Sequence, residues 1–336
     1  MADFRLALTE AAYQRIAPRL RALESRLDIA ILGDDQTLRN PRTGQASDTA
    51  AADIIWLSLD GYFTGQFQAL TKLALDAPRA PQWIQTCNAG LDNPVYRSIA
   101  ARGTRITKST AQSAAIAEYV VAHAVSLILP ISKQRTLQAQ HVWETTPFRE
   151  IGQTRWTLVG YGAIGQEIAR RIKPFGVHLT VVRRSRGADD LVDHVVGVAE
   201  LPDAIAQSDV VVLVCALNDE TRNLANEQFF AALKPGAILI NVGRGELVDE
   251  DALRCGLDRE QPAHAVLDVF RTEPLPSDSW IWGHPKIRAS AHTSNAGDGV
   301  LDRGDVLFAR NLSLFMSGLP LLNEASPTEV GVAPPR

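Results

Sequence analysis

The stretch Gly160-Tyr161-Gly162-Ala163-Ile164-Gly165 constrains this chain more than any other. It follows an apolar run at 156–159, opens a helical pattern at 165–173, and precedes a second apolar run at 178–182. In that setting each glycine has a task. The first permits a tight turn, the second lets a bound molecule approach the backbone, and the third lets helix and strand pack closely. The N–H groups at the helix start then form an anion site at the positive end of the helix dipole. Glycines alone could mark an ordinary turn. Strand, turn, helix and strand in this order predict a dinucleotide-binding unit, with pyrophosphate contacts from Gly160, Gly162, Ala163, Ile164 and Gly165.

Such a unit needs a parallel sheet, and the flanking sequence supplies the strands. Short apolar runs at 209–215, 237–241, 264–268 and 286–289, each bounded by Gly, Pro or Asp, extend the series into a doubly wound domain. Upstream, runs at 4–8, 27–32, 53–59, 83–87 and 104–107 alternate with helical stretches at 9–23, 64–75 and 94–102, which predicts a second parallel sheet with crossover helices. Single cores seldom grow past about 250–300 residues, so a chain of 336 residues is expected to divide in two. The reading is α/β, with a flavodoxin-like domain at 1–107, completed by a last helix within 298–336, and a Rossmann domain at 108–297. The long apolar segment 112–140 is expected to be one helix bridging them.

Composition removes several alternatives. With 34 basic against 38 acidic side chains the formal charge is −4, which supplies no field for a nucleic acid. The longest nearly apolar stretch, 119–131, has 13 residues and contains His123 and Ser126, short of the ~20 a membrane span needs. Asp3, Arg5 and Glu10 break any leading hydrophobic run, so a cytoplasmic address is the default expectation. Cys87, Cys215 and Cys255 lie far apart with no CxxC pair, so neither a disulfide framework nor a metal site is expected, and the thiols are expected to be buried.

The cofactor's identity is read about 20 residues past the glycines, where an Asp or Glu would bind a ribose 2′-hydroxyl. This chain has Val182-Arg183-Arg184-Ser185-Arg186 there, with no acid until Asp189. Arg183 and Arg184, with Ser185 as a further donor, suit a 2′-phosphate, so NADP(H) is favoured and NAD(H) remains possible. The competing reading is a solvated basic turn. Cys215, Ala216, Val242 and Gly243 end the next strands and are expected along the same cofactor.

Three later segments follow strand ends: Asn241-Val242-Gly243-Arg244-Gly245-Glu246, Leu267-Asp268-Val269-Phe270-Arg271-Thr272-Glu273-Pro274, and Ser290-Ala291-His292-Thr293-Ser294. Ligands of open α/β sheets sit at those carboxyl ends, so the segments can converge. In order and spacing, from Asn88-Ala89-Gly90-Leu91-Asp92 through Ile116-Ala117-Glu118 to His292, the chain resembles the D-isomer-specific 2-hydroxyacid dehydrogenases, which include glyoxylate and hydroxypyruvate reductases. The resemblance implies a catalytic trio of Arg244, Glu273 and His292. His292 would exchange a proton with the substrate oxygen, Glu273 would stabilise and orient the charged imidazole, and Arg244 would hold the substrate carboxylate. It also implies that Asp268 accepts a hydrogen bond from the nicotinamide carboxamide, that Asn88, Ala89 and Gly90 bind substrate from the first domain, which is thereby a substrate domain, and that the domains close around the bridging helix. A homodimer, with residues 133–148 and Trp143 as an interdigitating arm, is implied as well.

The chain departs from the family pattern in places. It has Lys108-Ser109-Thr110-Ala111 where members usually have Asn and Pro-Gly, Ala291 where many have Pro, and an aromatic loop at 60–65 expected to shape the pocket. Lys108 is read as solvated. Short-chain dehydrogenases are excluded because no tyrosine is followed four residues later by lysine, and formate dehydrogenases fit less well because they carry Gln where Glu273 stands. The alternative from another class is a dinucleotide-sensing regulator with the same fold.

Overall fold

A computed structural model describes residues 3–46, 52–184, 187 and 189–332. The chain divides into two compact units, Met1–Gln112 with Asp298–Arg336, and Ser113–Gly297.

The first unit is built on β1 (Phe4–Thr9), β2 (Leu27–Leu32), β3 (Leu38–Arg39), β4 (Ile54–Leu57), β5 (Trp83–Thr86) and β6 (Arg105–Thr107). Their order is β3-β2-β1-β4-β5-β6. Only the two-residue edge strand β3 runs antiparallel; without it the order is flavodoxin-like. Four-residue strands such as Ile54–Leu57 are buried at every position, as expected where helices cover both faces of a sheet. The helix Glu10–Leu20 starts where Thr9 Oγ1 accepts the Ala12 N–H at 3.1 Å, and Ala12, Ile16 and Leu20, four apart, bury one face. The helix Val300–Met316 returns to this unit. Its Phe308 stacks on Trp56 at 4.4 Å and on Trp83 at 5.6 Å, and its buried Asp305 pairs with Arg15 at 3.0 Å.

The second unit carries β7 (Arg155–Val159), β8 (His178–Val182), β9 (His194–Val196), β10 (Val210–Leu213), β11 (Ile238–Asn241), β12 (His264–Leu267) and β13 (Ile287–Ala289). They form one sheet, ordered β13-β12-β11-β10-β7-β8-β9, with every pairing parallel. The strand order reverses at β7, so a crevice opens between the carboxyl ends of β7 and β10.

Several expectations need correction. Segment 112–140 is two helices, Ser113–Ile128 and Ile131–Ala139, bent by 58°. Pro130 stands at the break: it has no N–H to continue the ladder and restricts Leu129 before it. No single helix among the described residues is long and apolar enough to cross a membrane. Residues 60–65 are not a loop throughout. Leu59–Phe63 form a helical turn ended by Gly65 in the left-handed region at φ 76°. Only Cys87 is buried; Cys215 is half-buried and Cys255 exposed, all unpaired.

Candidate active site

Gly160 ends β7 at φ +104°, and a Cβ there would sit 2.7 Å from Cys215 Cα. Only glycine allows the turn to lie against the end of β10. The Gly160 N–H donates to Val182 O at 3.0 Å, tying the turn to β8. Gly162 is the N-cap of the helix Ala163–Ile172. It brings no side-chain cap, and a Cβ placed on it would meet nothing within 4 Å. Uncapped N–H groups at a helix start beside open space suit a bound pyrophosphate, so the residues present fit a dinucleotide.

At the end of β8, Arg183 folds back over its own turn. Its guanidinium lies 5.2 Å from the Tyr161 ring centroid, a cation–π contact, and Nη2 donates to Gly187 O. Arg184 is exposed, and Ser185 lies outside the described residues. Burial, then the neighbouring Asp189, pushes the Tyr161 phenol up to about 12. Cys215 borders the crevice as a neutral thiol, pushed up to about 11 by burial, while Ala216 is exposed. Val242 is buried, and Gly243 lies close against Cys215 O.

The side chains of Arg244, Glu273 and His292 come from the ends of β11 and β12 and the segment after β13. Asn241, fully buried, accepts the Gly243 N–H at 3.1 Å and donates to Arg244 O at 2.9 Å, shaping the turn. Arg244 is extended, and its Nη1 donates to Gly243 O at 2.8 Å. A Cβ on Gly245 would fall 1.9 Å from the carbonyl carbon of Phe270, so the backbones touch and Arg244 is set beside the end of β12. There Glu273 bridges two partners: Oε1 accepts the Phe270 N–H at 3.0 Å, and Oε2 lies 2.9 Å from His292 Nδ1. A carboxylate on Nδ1 keeps a proton on that nitrogen and leaves Nε2 for exchange with a ligand. Both side chains remain accessible, at 44% for His292 and 37% for Glu273.

His292 itself has φ +49°, unusual for a residue with a side chain. Its N–H donates to Asp268 O at 2.8 Å and to Ser290 O at 3.1 Å. The Asp268 side chain is fully buried and takes three donors from the same segment: Thr293 N–H at 2.8 Å, Ser294 N–H at 3.0 Å and Ser290 Oγ at 2.6 Å. Asp268 thus anchors the histidine segment, a role the sequence reading missed. The usable signal was a strand-ending acid followed by the polar cluster Ser290, Thr293 and Ser294.

In the first unit, the Asn88–Gly90 segment follows β5. Asn88 Oδ1 accepts from the Tyr96 hydroxyl at 2.7 Å, and Asn88 O accepts the Ser109 N–H at 2.9 Å. Burial pushes the Tyr96 phenol up, keeping it a donor. Ala89 is exposed and Gly90 half-buried. Lys108 is not simply solvated: it is half-buried and paired with Glu329. Among the described residues no group of His, Cys, Asp and Glu could hold a metal.

Residues 121–294 match the sequence model described as D-isomer specific 2-hydroxyacid dehydrogenase, NAD binding domain. Human glyoxylate reductase/hydroxypyruvate reductase is 30% identical over 271 residues, 75% of this chain and 80% of that protein. The crystal structure of a D-isomer specific 2-hydroxyacid dehydrogenase family protein from Aeromonas salmonicida superposes with a TM-score of 0.74 at 28% identity, covering 97% of this chain and 99% of that one. The fold also matches an NADPH-dependent glyoxylate/hydroxypyruvate reductase from Sinorhizobium meliloti, in complex with NADP and sulfate, at TM-score 0.77 and 20% identity, covering 97% and 99%. With just over half of its residues in the family's nucleotide-binding domain and the likeness running on beyond it, the chain belongs to the D-isomer specific 2-hydroxyacid dehydrogenase family.

Proposed function

We propose that this dehydrogenase reduces a small 2-keto acid of the glyoxylate or hydroxypyruvate kind to the D-2-hydroxy acid, or runs the reverse, with NADPH preferred over NADH. The 2.9 Å contact between His292 Nδ1 and Glu273 Oε2 carries the reading, because it leaves an accessible imidazole with one face for proton exchange. When bound, the nicotinamide supplies hydride to the keto carbon. His292 Nε2 gives its proton to the carbonyl oxygen as charge develops there, and Glu273 holds the ring and balances the imidazolium. The Arg244 guanidinium pairs with the substrate carboxylate. Asn88, Ala89 and Gly90 are proposed as the substrate-binding residues of the first unit. Asp268 Oδ2, with one donor from Ser294, keeps capacity for a second from the carboxamide.

The cofactor preference rests on Arg183 and Arg184 standing where an acid would select NAD(H). The deciding assay follows absorbance at 340 nm with glyoxylate, hydroxypyruvate and bulkier 2-keto acids, in the native enzyme and in Arg183→Gln/Arg184→Gln. We expect turnover with NADPH, and in the double variant an NADPH affinity weakened about 10–100-fold against about threefold or less for NADH, the scale of one or two charge-assisted bonds. Equal losses for both cofactors would refute the clamp. Tight NADPH binding with no turnover across the acids would refute the enzyme.

A homodimer is proposed on the segment after Pro130. The helix Ile131–Ala139 has no buried residue, and Val142, Trp143 and Phe148 beyond it are exposed, Trp143 completely. Apolar surface of that kind commonly marks an interface. By light scattering the native chain should be a dimer and Trp143→Glu mostly monomer; a monomeric native chain sinks the idea.

A further inference from the structure

A fully buried carboxylate needs hydrogen-bond donors, and Asp268 draws one of its three from a hydroxyl rather than the backbone. Ser290 has one hydroxyl hydrogen and gives it to Asp268 Oδ1 at 2.6 Å. Toward the Tyr119 hydroxyl, 2.5 Å away, Ser290 Oγ is therefore the acceptor and Tyr119 the donor. Burial favours this polarity, since it pushes the Tyr119 phenol up and keeps it protonated. The chain is directed: Tyr119 O–H to Ser290 Oγ–H to Asp268.

Its base is firm. Tyr119 belongs to the helix Ser113–Ile128, whose Ile116, Ala117, Val120 and Ala124 are buried in the core of the second unit, and its ring packs on His123 at 4.3 Å. Its far end holds the one segment that must not wander. His292 sits in the left-handed region, a conformation kept only where surroundings over-determine it, and its ring must stay 2.9 Å from Glu273. Neither Tyr119 nor Ser290 has a place in the proton exchange described above.

We propose that Tyr119 and Ser290 are positioning residues, which through Asp268 hold His292 at the geometry its proton transfer requires. The proposal rests on the reading of His292 as the acid. Ser290→Ala should lower kcat about tenfold, since small misplacements of a reacting group cost that much or more, with the NADPH dissociation constant changed by no more than about threefold. Tyr119→Phe should lower kcat by a similar factor. The double variant should be no slower than Ser290→Ala alone, because both remove one chain, and Ser290→Thr should restore kcat. A second readout needs no turnover. The low-field imidazole Nδ1–H proton resonance of His292 in the cofactor-free protein, assigned by its absence from His292→Gln, should broaden in Ser290→Ala and return in Ser290→Thr. Multiplicative losses in the double variant, or an unmoved resonance in Ser290→Ala, would overturn the proposal. A native enzyme that turns over no keto acid would instead overturn the reading of the acid, whatever the resonance does.

Discussion

His292→Gln is expected to lose about 10²–10⁴ in turnover while binding NADPH nearly as the native enzyme does. Glutamine fills similar space and can still meet Glu273 Oε2, now 2.9 Å from the imidazole, so the pocket wall survives. What disappears is a ring nitrogen that can hand a proton to the substrate oxygen and take it back. The cofactor turn at Gly160 and Gly162 makes its own contacts at the ends of β7 and β10 and is untouched by the change. Steady-state kinetics with a keto acid, beside fluorescence titration of NADPH, separates the two effects. Turnover within about threefold of native would remove His292 from the acid role, because general acid–base catalysis is worth more than that.

Gly245→Ala should be nearly as damaging by a different route. The added Cβ would stand 1.9 Å from the Phe270 carbonyl carbon and 2.0 Å from its oxygen, both backbone atoms that cannot swing aside. The strand ends of β11 and β12 must separate, at a cost of about 1–3 kcal/mol or more, and the melting temperature should fall by roughly 3–10 °C. Arg244, adjacent to the substituted residue, moves with the backbone, and a displacement near 1 Å at a substrate-holding group costs about 100-fold in turnover. A variant melting at the native temperature would show that the two backbones are not in contact.

Much of the architecture could be read before any coordinate was known, because its signals are local. Strands such as Val210–Leu213, opened by Asp209, and Ile238–Asn241, closed by Asn241 and Gly243, are short apolar runs, and the turn from Gly160 to Gly165 announces itself through backbone freedom and packing distance. The break at Pro130 was local too, yet the largely apolar character of 119–131 outweighed it in the reading of one long helix. Strands Leu38–Arg39 and His194–Val196, the outer strands of their sheets, went unread; the first has only two residues, too few to show a pattern.

Where side chains point was not legible. Lys108 meets Glu329, more than 200 positions away, and Arg183 lies over Tyr161 rather than simply out in solvent. Asp268 is another such case. Its position after β12 suggested a cofactor ligand; that its carboxylate also anchors Ser290, Thr293 and Ser294 had no signal within a few residues of it.

The amino-acid sequence by itself determined the α/β class, the two parallel sheets and the nucleotide turn, since periodicity, glycine conformation and proline restriction act over a few residues. Only the tertiary structure decided that Glu273 meets His292, that Gly245 presses against Phe270, and that Tyr119 reaches the histidine segment through Ser290. Those contacts join residues 19 to 171 positions apart, and no local preference specifies them; packing the strand ends side by side does.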